Sequence, residues 1–316
     1  MKTILMMVHP QLHPGLKEQA QSTERMVLNA LKRLGYHVEI LGILDDLQSL
    51  ERELIRIKPY AVFNLLEEFH GEAVYDFHLP AYLEARGVPF TGCNPRGLAI
   101  SRSKFLVSQL AKAGGVSVPE MGLHGVQNYR GPFPAFVKYN REHSSRGISR
   151  SNRVKNRAEM KRVIERLHRK YPGEILVQEF IEGADVTVSV IGNDKLTVFE
   201  PRKLRRNSSL DFSTERVKFN AQFRAAHQIR AARYKGPHFK GLQKAAKIIF
   251  REAELSGYAR MDFRMNDDGF YLVDVNANPN LELIEDFAAS AKFFGFEYDE
   301  LVNEIVKLAR SYSPRI

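Results

Sequence analysis

No apolar run in this chain of 316 residues approaches the roughly 20 residues needed to span a bilayer. The opening Met1-Lys-Thr-Ile-Leu-Met-Met-Val8 is too short for a signal-peptide core. It meets His9-Pro10 without a small-residue cleavage site, so it reads as a first buried strand. The single cysteine, Cys93, excludes an internal disulfide framework and fits a reducing, cytoplasmic setting. No Gly-x-Gly-x-x-Gly turn follows the first strand, which removes support for a dinucleotide fingerprint. Internal repeats and low-complexity tracts are missing, as are zinc, RNP and helix-turn-helix motifs of nucleic-acid binders.

What is present is an ordinary globular composition, 44% hydrophobic and 27% charged, in a chain long enough for two or three packed units. The formal charge of +10 is unevenly placed. Between Pro201 and Lys240 eleven Lys and Arg stand against only Asp211 and Glu215. Such a block suits a nucleic-acid patch, a solvated face or a lid over an anionic substrate, and composition does not choose among them. Phe212, Phe219, Phe223 and Tyr234 interleave with the basic residues, either to stack on bases or to pack as a lid core.

The first hundred residues alternate strand and helix. Thr3–Val8, His37–Leu41 and Tyr60–Leu66 have strand character. Met26, Val27, Ala30, Leu31 and Leu34 recur at helical spacing behind a Ser22 or Thr23 cap, and Leu47, Leu50, Leu54 and Ile57 form a second helical stripe. That β-α-β-α-β order with short links predicts a parallel sheet covered by helices. Helices are expected at 101–113, 158–170, 241–255 and 298–311, and strands at 134–138, 175–181 and 186–191. The Asn266-Asp-Asp-Gly269 turn predicts a hairpin of 259–265 with 270–276.

That hairpin carries the clearest chemistry. Period-two geometry puts Asp274 and Asn276 on one face of their strand, and pairing through the turn brings Asp262 beside them. Two carboxylates and an amide oxygen make a hard oxygen cluster suited to magnesium, with manganese as the alternative, carrying nucleotide phosphates.

The segment Arg260-Met-Asp262-Phe…Asp274-Val-Asn276-Ala-Asn-Pro279 resembles the C-terminal signature of the ATP-grasp superfamily, in particular the D-alanine–D-alanine ligase family. The resemblance continues upstream in order. His70-Gly-Glu72 is similar to the family's Gly-Glu-Asp loop, and Leu83-Glu-Ala-Arg-Gly-Val-Pro-Phe-Thr-Gly92 to its "LE…GIPYTG" strand. Ser103-Lys104 stands where the family has Asp-Lys. Phe133-Pro-Ala-Phe-Val-Lys138…Ser144-Ser145-Arg-Gly147 is similar to the strand and phosphate loop, and Gln178-Glu-Phe-Ile-Glu-Gly183 to the adenine hinge.

The resemblance implies an α/β ATP-grasp fold. A parallel-sheet domain (1–100) would precede two α+β subdomains (101–181 and 182–316) that clasp ATP, the last holding the metal site. It implies ATP-dependent joining of a small-molecule carboxylate to an amine through an acylphosphate, and a homodimer. Lys104, Lys138 and Lys218 would meet the phosphates, and Ser144, Ser145 and Gly147 would fold over them. Gln178, Glu179, Phe180 and Ile181 would frame the adenine, and Asp185 would accept from the ribose. Asp262, Asp274 and Asn276 would hold the metal. Arg260, Ser145 and Glu72 would be catalytic, Arg260 steadying the acylphosphate and the developing oxyanion.

Four departures concern the substrate. The family's Gly-rich first loop, whose glutamate holds an ammonium, is replaced by His9-Pro-Gln-Leu-His-Pro14. The metal-bridging glutamate is the shorter Asp274. The glycine after the signature proline is Asn280, and Glu285 stands at a substrate-binding serine. Asn278, Asn280 and Glu285 are therefore the expected substrate residues, and the substrate is expected not to be D-alanine. The alternatives are D-alanine–D-alanine ligase itself and a non-catalytic nucleotide- or nucleic-acid-binding protein. In the leading view the basic Pro201–Lys240 segment is a lid, with Arg202, Arg205 and Arg206 facing an anionic substrate.

Overall fold

The computed structural model describes residues 1–12, 22–125, 128–142, 149–205 and 230–314. Its first unit runs β1 (Thr3–Val8), α1 (Thr23–Arg33), β2 (His37–Gly42), α2 (Leu47–Ile57), β3 (Ala61–Asn64) and α3 (His78–Ala85). The strands form the expected parallel sheet, in the order β2-β1-β3. The unbroken apolar run of β1 follows from its central place, since a parallel strand covered on both faces has no solvent side. Ile4, Met6 and Val8 pack with α1, while Leu5 and Met7 pack with α2 and α3. Of the two expected caps Ser22 is the one used, its Oγ accepting from Arg25 N, and the structure adds Asp46, whose Oδ1 accepts from Gln48 N and Ser49 N.

Residues 83–92 depart from the expected strand. Leu83 to Ala85 complete α3, and Phe90 alone bridges to Val62. The helix expected at 101–113 is two, α4 (Pro95–Arg102) and α5 (Lys104–Ala113), broken at Ser103. Ser103 leaves helical geometry at ψ 103 and caps α5 by accepting from Leu106 N at 3.2 Å.

The middle sheet contains β4 (Met121–Leu123), β5 (Ala135–Tyr139), β6 (Arg153–Val154) and β7 (Ile175–Glu179), antiparallel in the order β4-β7-β5-β6, with α6 (Arg157–Lys170) against it. The third sheet contains β8 (Ala184–Gly192), β9 (Leu196–Val198), β10 (Arg202–Arg205) and β11 (Arg230–Arg233), then, after α7 (Phe239–Glu252), β12 (Tyr258–Met265) and β13 (Phe270–Ala277). Its order is β11-β10-β8-β12-β13, all antiparallel, with β9 also on β8. Two helices follow, α8 (Asp286–Phe294) and α9 (Tyr298–Ser311).

Strand alternation gives this third sheet two unlike faces. Val186, Val188, Val190, Met261, Phe263, Leu272 and Val275 form one core with residues of α4, α5 and α7. Residues of α8 and α9 share a core with Ile4, Met6 and Phe63 of the first sheet, which ties the end of the chain to its beginning. The other face of β8, β12 and β13 is polar, and every clustered candidate residue lies on it or above it.

Candidate functional site

Register lays the polar face out in rows. Arg260 is opposite Asn276 on one side and Ser189 on the other, while Asp262 is opposite Asp274 and Thr187. Asp185, Arg264 and Tyr271 make the next row. The register shifts just after Asp262, leaving Val273 out of step without disturbing these pairs. The expected gathering of Asp262, Asp274 and Asn276 on one face is thus observed.

Arg260 donates to both oxygens of Asp262, Nε to Oδ1 at 2.7 Å and Nη2 to Oδ2 at 3.0 Å. Asn276 Nδ2 donates to Asp262 Oδ2 at 3.2 Å. Burial opposes the guanidinium's charge, but Asp262, with Asp286 and Asp274 beyond it, holds the Arg260 pKa above its ordinary value. The fork shape of arginine matches a carboxylate held this way, where a lysine would make one bond.

Two lysines reach the same strand from other elements. Lys104 opens α5, and its Nζ lies 3.4 Å from Asp274 Oδ1 and donates to the Glu142 carbonyl oxygen at 2.6 Å. Lys138 of β5 donates through Nζ to the Val273 carbonyl oxygen at 3.3 Å. Asn140, fully buried, sets this convergence. Its Oδ1 accepts from Phe105 N at 2.9 Å, its carbonyl oxygen accepts from Lys104 N at 3.2 Å, and its Nδ2 donates to Ser103 Oγ at 3.0 Å. The break at Ser103 is therefore what points Lys104 at β13.

The hinge residues begin at the end of β7. Gln178 is buried, and its Nε2 has no hydrogen-bond partner among the described residues. Glu179 Oε2 accepts from Glu120 N at 3.1 Å, and the Phe180 ring lies 4.3 Å from the Arg153 guanidinium and 5.4 Å from that of Arg264. Arg264 also donates through Nε to the Ile181 carbonyl oxygen at 2.9 Å and through Nη1 to Asp185 Oδ1 at 2.6 Å. Gly183, at φ +134, lets this link cross the hairpin, because a Cβ there would stand 2.1 Å from the Met265 carbonyl oxygen. Arg264 was not singled out from the sequence, although Arg260, Asp262 and Arg264 share one face by simple alternation.

The remaining candidates separate. Asn278, in left-handed geometry at φ 55, accepts from Cys93 N at 2.6 Å through Oδ1, over Gly92 where a Cβ would collide with that amide. Asn280 Oδ1 accepts from Thr23 Oγ1 at 2.6 Å and from Glu282 N at 2.8 Å. Glu285 occupies the N-cap position of α8 without capping it through its side chain. Glu72 is exposed, and no described contact joins it to Arg260 or the lysines. Arg202, expected to face an anionic substrate, is buried in β10. Ser144, Ser145, Gly147, Arg206 and Lys218 lie outside the described residues, as does the side chain of Arg205.

The donor chemistry fits a magnesium ion that brings most of its shell with it. Among the described residues no three His, Cys, Asp or Glu side chains gather around one point. The protein's share would be two carboxylates and an amide oxygen, which is the small share magnesium accepts when phosphates and water complete its octahedron. No helix among the described residues is long and apolar enough to cross a membrane.

Comparison with known proteins agrees with this layout. The family model described as D-ala D-ala ligase C-terminus matches residues 117–307. A D-alanine–D-alanine ligase of Pseudothermotoga lettingae is 30% identical over 294 residues, covering 90% of this chain and 92% of that protein. One from Aquifex aeolicus is 28% identical over 298 residues, covering 92% and 95%. The crystal structure of D-alanine–D-alanine ligase from Bacillus anthracis complexed with ATP superposes with a TM-score of 0.75, at 18% identity over 98% of both chains, so it speaks to the fold.

Proposed function

This chain belongs to the D-alanine–D-alanine ligase family of the ATP-grasp superfamily, and we propose that it joins a carboxylate other than that of D-alanine to an amine through an acylphosphate. Its fold is the α/β ATP-grasp fold, and it is an ATP-dependent ligase that forms a peptide bond. The observation that carries the mechanism is the convergence of Lys104 and Lys138 on residues 273–274, beside the Arg260–Asp262–Asn276 cluster.

Phosphoryl transfer asks mostly for positioning and charge neutralisation. Lys104 and Lys138 are point charges within reach of one anionic group and would hold the β- and γ-phosphates. Asp262, Asp274 and Asn276 would hold magnesium, which when bound neutralises charge spread over those phosphates. Gln178 Nε2, a buried donor left over by the fold, would serve the base edge. The substrate carboxylate attacks the γ-phosphorus, the bond to the β–γ bridging oxygen breaks and ADP leaves, and the resulting acylphosphate keeps its carbonyl oxygen within reach of Arg260. The neutral amine then adds at the acyl carbon, Arg260 stabilises the oxyanion, and collapse expels phosphate, which carries away the negative charge while the nitrogen gives up its extra proton to it, leaving the amide.

Support for a different substrate comes from the acceptor side. Asn280 is tied to Thr23 and Glu282 N at the place of a family glycine, and His9 pairs with Glu68 at 3.3 Å where the family's ammonium-holding loop would lie. The names of the relatives favour D-alanine instead. Phosphate release from ATP, measured with D-alanine alone and with a panel of carboxylate and amine pairs, separates the two. Turnover with D-alanine alone at rates matching the best pair would reject our proposal.

A further inference from the structure

Two neighbouring rows of the polar face also hold groups that the ligase chemistry above does not use. Arg202 of β10 is only 7% exposed and stands in register with Thr187, which is itself opposite Asp262. Its Nη2 donates to the Ala231 carbonyl oxygen at 3.1 Å, and its Nη1 is 3.5 Å from Asp286 Oδ1. Yet Nε and Nη1 have no hydrogen-bond partner among the described residues. The same holds for the buried hydroxyls of Thr187 and Ser189.

Native folds seldom leave buried donors unpaired, because each has given up its hydration without a replacement, and a charged one gives up more. Here three side chains on one face share the defect, and all point to one kind of missing partner. The Arg202 Nε–H, an Nη1 held only by the 3.5 Å ion pair with Asp286, and two hydroxyls make a donor set for an oxyanion, and arginine's fork suits a carboxylate best. Asp286, at the first turn of α8, lies 3.5 Å from Arg202, and Thr187 and Ser189 stand opposite Asp262 and Arg260 in the sheet. The place is therefore beside the reacting centre and separate from the Lys104–Lys138 cradle.

We propose that Arg202, Thr187 and Ser189 form a subsite for a second, non-reacting carboxylate, so that one substrate of this ligase is an acidic amino acid. The proposal rests on the ligase assignment above and narrows its substrate class. A nucleotide phosphate offers similar oxygens, and the experiment distinguishes the two sources.

The full chain is melted with magnesium and a non-hydrolysable ATP analogue, then titrated with glutamate against glutamine and aspartate against asparagine, each as both enantiomers. At least one acid is expected to stabilise at roughly 10- to 100-fold lower concentration than its amide, the range of one charged hydrogen-bonded contact. Arg202→Met and Thr187→Val should each erase that difference while the response to the ATP analogue stays the same. Thr187→Val is nearly isosteric and decides the matter if Arg202→Met does not fold. Equal responses to acid and amide in the unmodified protein would overturn the subsite. So would a difference that survives substitution, or a loss confined to the ATP analogue, which would assign the donors to phosphate. A protein that fails to respond to the ATP analogue at all would instead refute the nucleotide site itself.

Discussion

Removing the Arg264 side chain tests whether the polar face and the hinge are one unit. Arg264 is 7% exposed and makes a hydrogen bond to the Ile181 carbonyl oxygen as well as the ion pair with Asp185. Breaking a fully buried pair costs about 3–5 kcal/mol because the abandoned charge stays behind. Asp185 keeps 21% of its side chain exposed, so water takes up part of its charge and the lower end, about 3 kcal/mol, is the better figure. The lost bond to Ile181 falls within that total, since the two contacts share one guanidinium. Arg264→Met should therefore lower the melting midpoint by roughly 4–5 °C in a chain of this size. It should also raise the KM for ATP, because Ile181 and Phe180 lose the group that fixes them, and Arg264→Lys should rescue only part of either effect. A melting shift under 2 °C with an unchanged KM for ATP would refute the coupling.

Other substitutions test separate parts. Arg260→Lys keeps the charge but forfeits the fork, and phosphate release should fall by about 10²–10³-fold, while magnesium–nucleotide binding, read by calorimetry, stays intact. Asp274→Asn should raise the magnesium concentration needed for half-maximal turnover and also lower the melting midpoint, since it removes the carboxylate 3.4 Å from the buried Lys104 ammonium. Asp76, bonded to Arg102 inside the fold, has its pKa raised because burial outweighs the nearby guanidinium. Its contribution to stability is thus complete below its unfolded pKa of about 3.9 and is lost as pH rises through the higher folded value. Carbon-13 titration of the carboxyl should place that value above the unfolded one, and Asp76→Asn should remove this limb from the stability–pH curve.

The site was legible where its logic is local. Asp262, Asp274 and Asn276 follow from strand period and one turn, and the observed register places them as that period requires. The apolar run of β1 likewise announces a strand covered on both sides. What was hidden depends on partners far along the chain. Ser103 is as compatible with a helix interior as with a cap, and it breaks the helix because Asn140, 37 residues on, binds the start of α5. Arg264 becomes a latch only because the chain returns Asp185 to it across 79 residues. The burial of Arg202 was obscured by composition, because a strand residue inside a basic stretch reads as one more surface charge.

The central claim is that the carboxylate oxygen passes to phosphate, and isotope transfer tests it directly. With the best pair from the panel, the carboxylate is labelled with oxygen-18 and the released phosphate is analysed by mass spectrometry. Reaction through an acylphosphate predicts one labelled oxygen in each phosphate, formed in step with each amide bond. Unlabelled phosphate accompanied by amide formation would contradict the mechanism, and labelled phosphate that disappears in Arg260→Lys together with the product would place Arg260 at its centre.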